Sequence, residues 1–247
     1  MAVRDRVRPR SVDGNGIPER DLMLGPRSTL LEMIDDMSVT DERIDAALQE
    51  LKVINRFLGG DYVSRAGIIQ LIRRVPKNLP LRILDCGAGG SDLLNVLRSL
   101  NRTVDVTALD LNLRACQYSA FHVPSMNVVN GSAFRLPFSD RSFDIVHASL
   151  FCHHFGADDL CVLLAEWSRV ARLGIVINDL RRSAVAFLAI TLLTRLFSRS
   201  TMVRHDAPIS VRRGFLKKDL SEISSGHDRV SITRHWAFRW LVTIEFT

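Results

Sequence analysis

Apolar positions along the chain follow two rhythms. Short runs near 82–86, 105–110, 126–130, 143–149 and 173–178 are rich in Val, Ile, Leu and Ala and read as strands, the first of them buried. Between them apolar residues recur every three or four positions, as in Leu93, Leu94, Val96, Leu97 and Leu100, and these stretches read as amphipathic helices. Strands alternating with helices argue for a parallel, doubly wound α/β sheet. Two more apolar stretches, 229–233 and 238–246, predict a hairpin-like pair at the C-terminal end. The expected fold is α/β: a doubly wound, mostly parallel seven-stranded sheet with an antiparallel C-terminal strand and an N-terminal helical cap.

The same patterning divides the chain. Residues 1–27 hold Pro9, Gly14, Gly16, Pro18, Gly25 and Pro26 among many arginines and show no period, which predicts a poorly ordered basic arm. Residues 28–78 turn helical, with Leu30, Leu31, Met33 and Ile34 on one face. Thr40-Asp41-Glu42-Arg43, a candidate capping box, opens a second helix that carries Ile44, Ala47, Leu48, Leu51 and Ile54 as far as Gly59-Gly60. This cap either covers one face of the sheet or closes over a substrate. Residues 79–247 form the core, with a substrate-side insertion at about 181–215. Within it Ala184 to Phe197 is the most apolar segment, too short to span a bilayer but suited to cover the active site or rest on a membrane surface.

Candidate chemistry begins where the first strand ends, at Asp85-Cys86-Gly87-Ala88-Gly89-Gly90-Ser91-Asp92. A strand, a small-residue turn and a helix start form the place where α/β folds bind nucleotide-like ligands. A dinucleotide fingerprint needs a third glycine where Asp92 stands, and an acid at the Asp85 position would repel a pyrophosphate. That acid suits a ligand with a cationic end, such as the amino acid and sulfonium groups of S-adenosylmethionine, while Gly87 and Gly89 let the backbone approach it. Asp110 closes the second strand 25 residues after Asp85 and is placed to accept two ribose hydroxyls or, more blandly, to cap the next helix.

These segments, with Val128-Val129-Asn130-Gly131-Ser132-Ala133 and Ser142-Phe143-Asp144-Ile145-Val146-His147-Ala148-Ser149, resemble the class I (Rossmann-like) S-adenosylmethionine-dependent methyltransferases, and among them the small-molecule enzymes of quinone and polyketide biosynthesis. The resemblance covers roughly residues 80–180. It implies a cofactor set of Asp85, Gly87, Gly89, Asp110, Leu111, Ser132, Ala133 and Ser149, with an adenine loop at Ser132-Ala133 and the sulfonium beside the fourth strand. Ser132 stands where the family often has an Asp, and Ser91 where it often has a further glycine. The implied activity is methyl transfer to a small organic acceptor, at a hydroxyl of a phenolic, quinone-like or polyketide-type metabolite. A cofactor-binding protein without turnover and an NAD-dependent oxidoreductase are the alternatives.

A base helps if the acceptor is a phenol or enol, and histidine is the usual candidate. His154, just past the fourth strand, is the first choice, and His205, followed by Asp206, the second. A histidine after a strand also serves as a structural hydrogen-bonder. Asp179 reads as a substrate contact or a helix cap, and Arg181, Arg182, Arg212 and Arg213 as anion binders or solvated surface. Cys152, His153, His154 and Cys161 show no metal-ligand spacing, so no metal is expected. The four cysteines read as reduced thiols of a cytoplasmic protein. The net charge of +6 is mostly arginine and is spread along the chain without interleaved aromatics, so a nucleic-acid substrate is not expected. No transmembrane segment is expected, peripheral membrane contact remains open, and oligomeric state is not legible.

Overall fold

β1 (Leu81–Cys86) is buried along its length except at Arg82, and it sits in the interior of the sheet. Alternate residues serve opposite faces, as the pleat requires. Leu84 and Cys86 join one hydrophobic cluster, whereas Leu81 and Ile83 join the other. The computed structural model describes residues 25–246. Seven strands run in the order β3-β2-β1-β4-β5-β7-β6, with β2 (Val104–Asp110), β3 (Asn127–Asn130), β4 (Phe143–Ser149) and β5 (Ala171–Leu180) parallel to β1. β6 (Val230–His235) and β7 (Arg239–Glu245) form the C-terminal pair, and β7 is antiparallel to both β5 and β6. The chain leaves β1 in opposite directions toward β2 and β4. A crevice opens at such a switch point, beyond the carboxyl ends of the two central strands.

Helices cover both faces. α5 (Ala157–Val170) packs Leu163 and Trp167 against Leu84 and Val146, and α2 (Gly60–Leu71) packs Val63 and Ile68 against Ile83, Ile145 and Val176. α3 (Leu93–Leu97) and α4 (Leu113–His122) follow β1 and β2. The N-terminal cap therefore divides. α2 is part of the core, while α1 (Glu42–Phe57) crosses the crevice and buries Ile44, Ala47 and Leu48 against Ala115 of α4 and Met202 and Val203 of α7 (Thr201–Arg213). Gly59 makes the reversal between α1 and α2 with φ +76°, and a Cβ there would lie 2.8 Å from the Trp236 carbonyl oxygen. After β5 come α6 (Ala184–Phe197), α7 and the short α8 (Lys217–Ile223).

The expected arm lies outside the described residues except for its last three. Of these, Arg27 is tied down: its guanidinium donates to the carbonyls of Arg213, Phe155 and His153 at 2.6–2.7 Å and lies over the Phe215 ring. The helix expected around Leu30 to Ile34 is replaced by a single 3-10 turn, Met33–Asp35, with Leu30 and Leu31 exposed. The Asp206 carboxylate accepts the Met33 and Ile34 amides at 2.7 and 3.0 Å, so polar contacts rather than the apolar period shape this segment. Asp41 caps α1 by accepting from the Arg43 amide at 3.0 Å, and the reciprocal half of the expected box is not made. α7 was not legible as a helix, because its buried face includes the charged Asp206 and Arg213 and its interior contains Pro208.

Candidate active site

The crevice is a cavity of about 800 Å³, at the upper end of the range for small-molecule sites. Asp85, Gly87, Gly89, Asp110, Leu111, Ser132, Ala133 and Ser149 all line it. Gly87 and Gly89 adopt left-handed φ of +65° and +52°, which turns the chain sharply between β1 and α3. A Cβ on Gly87 would lie 1.9 Å from the Phe151 ring, so that glycine serves packing as well as ligand approach. Asp110 holds the turn: its carboxylate accepts the Gly89 amide at 2.7 Å and the Asn112 amide at 2.8 Å. Burial pushes the Asp110 carboxyl above its ordinary value, and those two amides work against the rise. Across the cavity the Ser149 hydroxyl is buried with no partner among the described residues.

Beneath this wall runs a chain of buried polar groups. Ser91 Oγ donates to Asp85 Oδ2 at 2.6 Å, and Asp85 Oδ1 meets His147 Nδ1 at 2.7 Å. His147 Nε2 lies 2.8 Å from Ser64 Oγ of α2, which accepts from Asn178 Nδ2 at 2.9 Å. Asn178 Oδ1 accepts from Arg239 Nη1 at 3.1 Å, and Arg239 Nη2 donates to Asn55 of α1 at 2.7 Å. Every donor meets an acceptor when the imidazole carries its proton on Nδ1, so one tautomer satisfies the whole chain. The chain fastens Asp85 to both cap helices. Burial drives the Arg239 guanidinium down to about 10.

A second cluster faces the first across the cavity. The 3-10 turn Cys152–His154 presents two histidines toward the turn Met33–Asp35. His154 Nδ1 lies 2.7 Å from Asp35 Oδ1, and Arg213 Nη1 holds the other Asp35 oxygen at 2.9 Å. Burial pushes the Asp35 carboxyl up, but His154 and Arg213 together outweigh it and bring the group to about 2. His153 is buried between Asp179, whose Oδ1 lies 2.7 Å from Nδ1, and Glu32, whose Oε1 lies 3.5 Å from Nε2. Burial lowers the imidazole, yet Asp179 and Glu32 win and raise it to about 9. His153 is therefore an imidazolium at neutral pH, and His154, whose Nδ1 faces Asp35, is the less buried of the two histidines at the cavity wall.

Other expected residues lie elsewhere. His205 does pair with Asp206, at 2.7 Å, but its ring is half exposed and does not line the cavity, so the structure does not bring this candidate base to the crevice. Asp179 is fully buried under His153, whose amide and ring it meets, and it neither lines the cavity nor caps the following helix α6. Arg182 is buried near Asp219 and the Gly214 carbonyl, and Arg213 near Asp35 and the carbonyls of Leu30, His153 and His154, because a buried guanidinium needs such partners. The cluster of Glu32 Oε1, His153 Nε2 and His154 Nδ1, all within 4.8 Å of one another, is a metal-like donor set that ligand spacing did not reveal. Its charges are already matched. A cation on His153 Nε2 would have to displace a tightly held proton, with the Arg213 guanidinium 3.7 Å from Glu32. The donors suit a proton better than a metal.

Strand order, glycine turn, paired strand-end acids and cavity together define the fold of the class I, Rossmann-like S-adenosylmethionine-dependent methyltransferases. Residues 84–177 match the family model of a methyltransferase domain. S-adenosylmethionine is the cofactor of that class, and the donors present fit it: a buried acid for its amino end, a second acid for a diol, and an unpartnered Ser149 hydroxyl on the neighbouring β4. The particular relatives narrow the comparison. The chain is 27% identical over 130 residues to demethylmenaquinone methyltransferase of Thermotoga maritima, covering 52% of this chain and 55% of that one. It is 37% identical over 112 residues to phthiotriol/phenolphthiotriol dimycocerosates methyltransferase 1 of Mycobacterium ulcerans, covering 41% and 38%. The chain thus spans about half or less of the length of these curated relatives. Among solved structures it is similar to magnesium protoporphyrin IX methyltransferase from Synechocystis (TM-score 0.58, 11% identity, 86% and 100% covered). It is also similar to an S-adenosylmethionine-dependent methyltransferase from Aquifex aeolicus (TM-score 0.52, 15% identity, 72% and 88% covered).

Proposed function

We propose that the protein transfers a methyl group from S-adenosylmethionine to a hydroxyl of a small phenolic, quinone-like or polyketide-type acceptor. The observation that carries this reading is the two-sided cavity: eight residues of cofactor-binding type line it together with the His154–Asp35 pair. The names of the curated relatives, one of a quinone and one of a phenol-bearing lipid, support the compound class of the acceptor.

In this reading Asp110 receives the ribose hydroxyls, Asp85 the amino end, and Leu111, Ser132 and Ala133 flank the adenine. Ser132 offers a hydroxyl there in place of a carboxylate. When bound, the cofactor supplies an activated methyl group, so the protein's work is alignment and exclusion of water. α1 supplies the exclusion, since Ile44 and Leu48 line the cavity roof. His154 takes the acceptor's hydroxyl proton at Nε2, because Nδ1 is turned to Asp35. His153 cannot share that task, since its proton is held between two carboxylates.

Calorimetric titration with S-adenosylmethionine and, separately, NAD(H) tests the cofactor. Micromolar binding of the former alone is expected, and binding of NAD(H) alone or of neither would reject the assignment. His154→Ala is expected to lower turnover 10²–10⁴-fold with cofactor affinity nearly intact. A variant as active as the wild type removes His154 from the reaction. Cofactor binding without transfer to any of a panel of phenols and quinols would favour a non-catalytic relative.

A further inference from the structure

α6 is apolar on two sides. Its inner side packs Ala186 and Ile190 against Ala207 and Val211 of α7. Its outer side carries Leu188, Leu192, Leu196 and Phe197, which are 67%, 60%, 65% and 79% exposed. The first three repeat at four-residue intervals and form a stripe along one face of the helix. Trp236, 76% exposed, lines the cavity together with Ala189 and Leu193 of α6, and neighbouring Phe238, like Phe187 and Leu193, packs against the cluster of Ala186, Ile190, Ala207 and Val211. Phe57, 81% exposed, ends α1 beside Leu58 of the same cluster. An apolar surface thus borders the cavity where α6, α1 and the β6–β7 turn meet.

The exposed charge on and just after α6 is positive, while Glu50 of α1 accepts the Ser198 hydroxyl and the Arg199 and Ser200 amides at its end. From 180 to 205 the chain carries five arginines and no acid, and of these Arg182 is buried beside Asp219 and takes no part in the rim. Arg195 and Arg199 are exposed on and just after α6. A large apolar stripe on a surface helix marks an interaction site, and a rim of cations selects an anionic partner. At 14 residues α6 is about 21 Å long, short of the roughly 30 Å a bilayer core requires, so it suits lying in the interface. No helix among the described residues is long and apolar enough to cross a membrane.

We propose that the outer face of α6, with Trp236 and Phe57, seats the protein on an anionic lipid surface and opens the cavity toward it. An acceptor with a polar hydroxyl head and an apolar tail would then reach His154 without passing through water. Only this delivery rests on the methyltransferase reading, and lipid docking stands without it.

The test is flotation of the full chain with vesicles of phosphatidylcholine alone and of phosphatidylcholine with about one-third phosphatidylglycerol. Binding to the anionic vesicles, weakened by salt, is expected. Trp236 reports depth, because Trp167 and Trp240 are buried at 0% and 2% exposure. Its emission should shift to the blue and be quenched by brominated lipid, and Trp236→Phe should abolish that signal. Leu188→Glu with Leu192→Glu is expected to lower vesicle binding at least tenfold while melting temperature and cofactor affinity hold, since neither residue lines the cavity. Arg195→Glu with Arg199→Glu should erase the anionic preference, at about fivefold or more per charge. Failure to bind either vesicle, equal binding to both, or unchanged binding of the double glutamate variant would overturn the proposal. So would a dimer in light scattering that Leu192→Glu splits, because the face would then serve a second copy. Cofactor titration of the same variants reports separately on the methyltransferase assignment.

Discussion

His153 makes the stability of this protein depend on pH in a calculable way. In the folded chain its imidazole titrates at about 9, against an ordinary 6.5, because Asp179 and Glu32 enclose it. The folded state therefore binds this proton more tightly than the unfolded state. The resulting stabilisation is fully present below pH 6.5, declines through the interval, and is gone above 9. At about 1.4 kcal/mol per pH unit, the interval of roughly 2.5 units is worth about 3 kcal/mol. For a chain of this size each kcal/mol moves the melting temperature by about 2–4 °C, so a loss of about 6–12 °C is expected between pH 6.5 and 9. The control is His153→Asn, which keeps an N–H for Asp179 but cannot titrate. Melting curves of both proteins by circular dichroism across this interval isolate the effect. The buried Cys86 and Cys152 thiols, pushed up by desolvation, also favour the unfolded state at alkaline pH. They contribute equally in both proteins and act mainly at the upper end of the interval. Parallel pH profiles for wild type and variant would show that His153 is neutral and that the charge assignment of the cluster is wrong.

Two further outcomes follow from the crevice. Asp110→Ala should weaken S-adenosylmethionine binding more than tenfold, about 1.4 kcal/mol, measured by calorimetry on a variant shown to be folded; unchanged affinity would remove Asp110 from the ribose site. Gly87→Ala forces a Cβ into the Phe151 ring at a φ of +65° and should cost about 2 kcal/mol or more in denaturant unfolding, part of it restored by Phe151→Leu. A neutral Gly87→Ala would mean that the turn has room the structure does not show.

The fold was readable because its signals are local. Each strand run of β1 to β5 lies within a few residues of its expected place, and the observed α6, Ala184–Phe197, is the segment its composition marked. The cofactor wall was readable for the same reason: a glycine turn between acids at two strand ends is written within 25 residues, and a parallel sheet carries those ends to one edge. The opposite wall was not. Glu32 and Asp35 sit in an apolar run that reads as a helix, and the acids themselves were its only signal. Asp35 meets Arg213 across 178 residues, and Arg239 meets Asn55 across 184.

Alternation and turn chemistry in the sequence alone thus determined the class of fold, the places of its strands along the chain and the half of the crevice expected to face the cofactor. Only the tertiary structure decided which charged side chains would be buried and which histidine would be closed between two carboxylates. Burying a charge is costly unless it is paired, and the partner is chosen by packing across the whole chain rather than by neighbours in sequence. His153 and His154 are adjacent residues of one kind, yet one is closed between Asp179 and Glu32 while the other, less buried, pairs with Asp35.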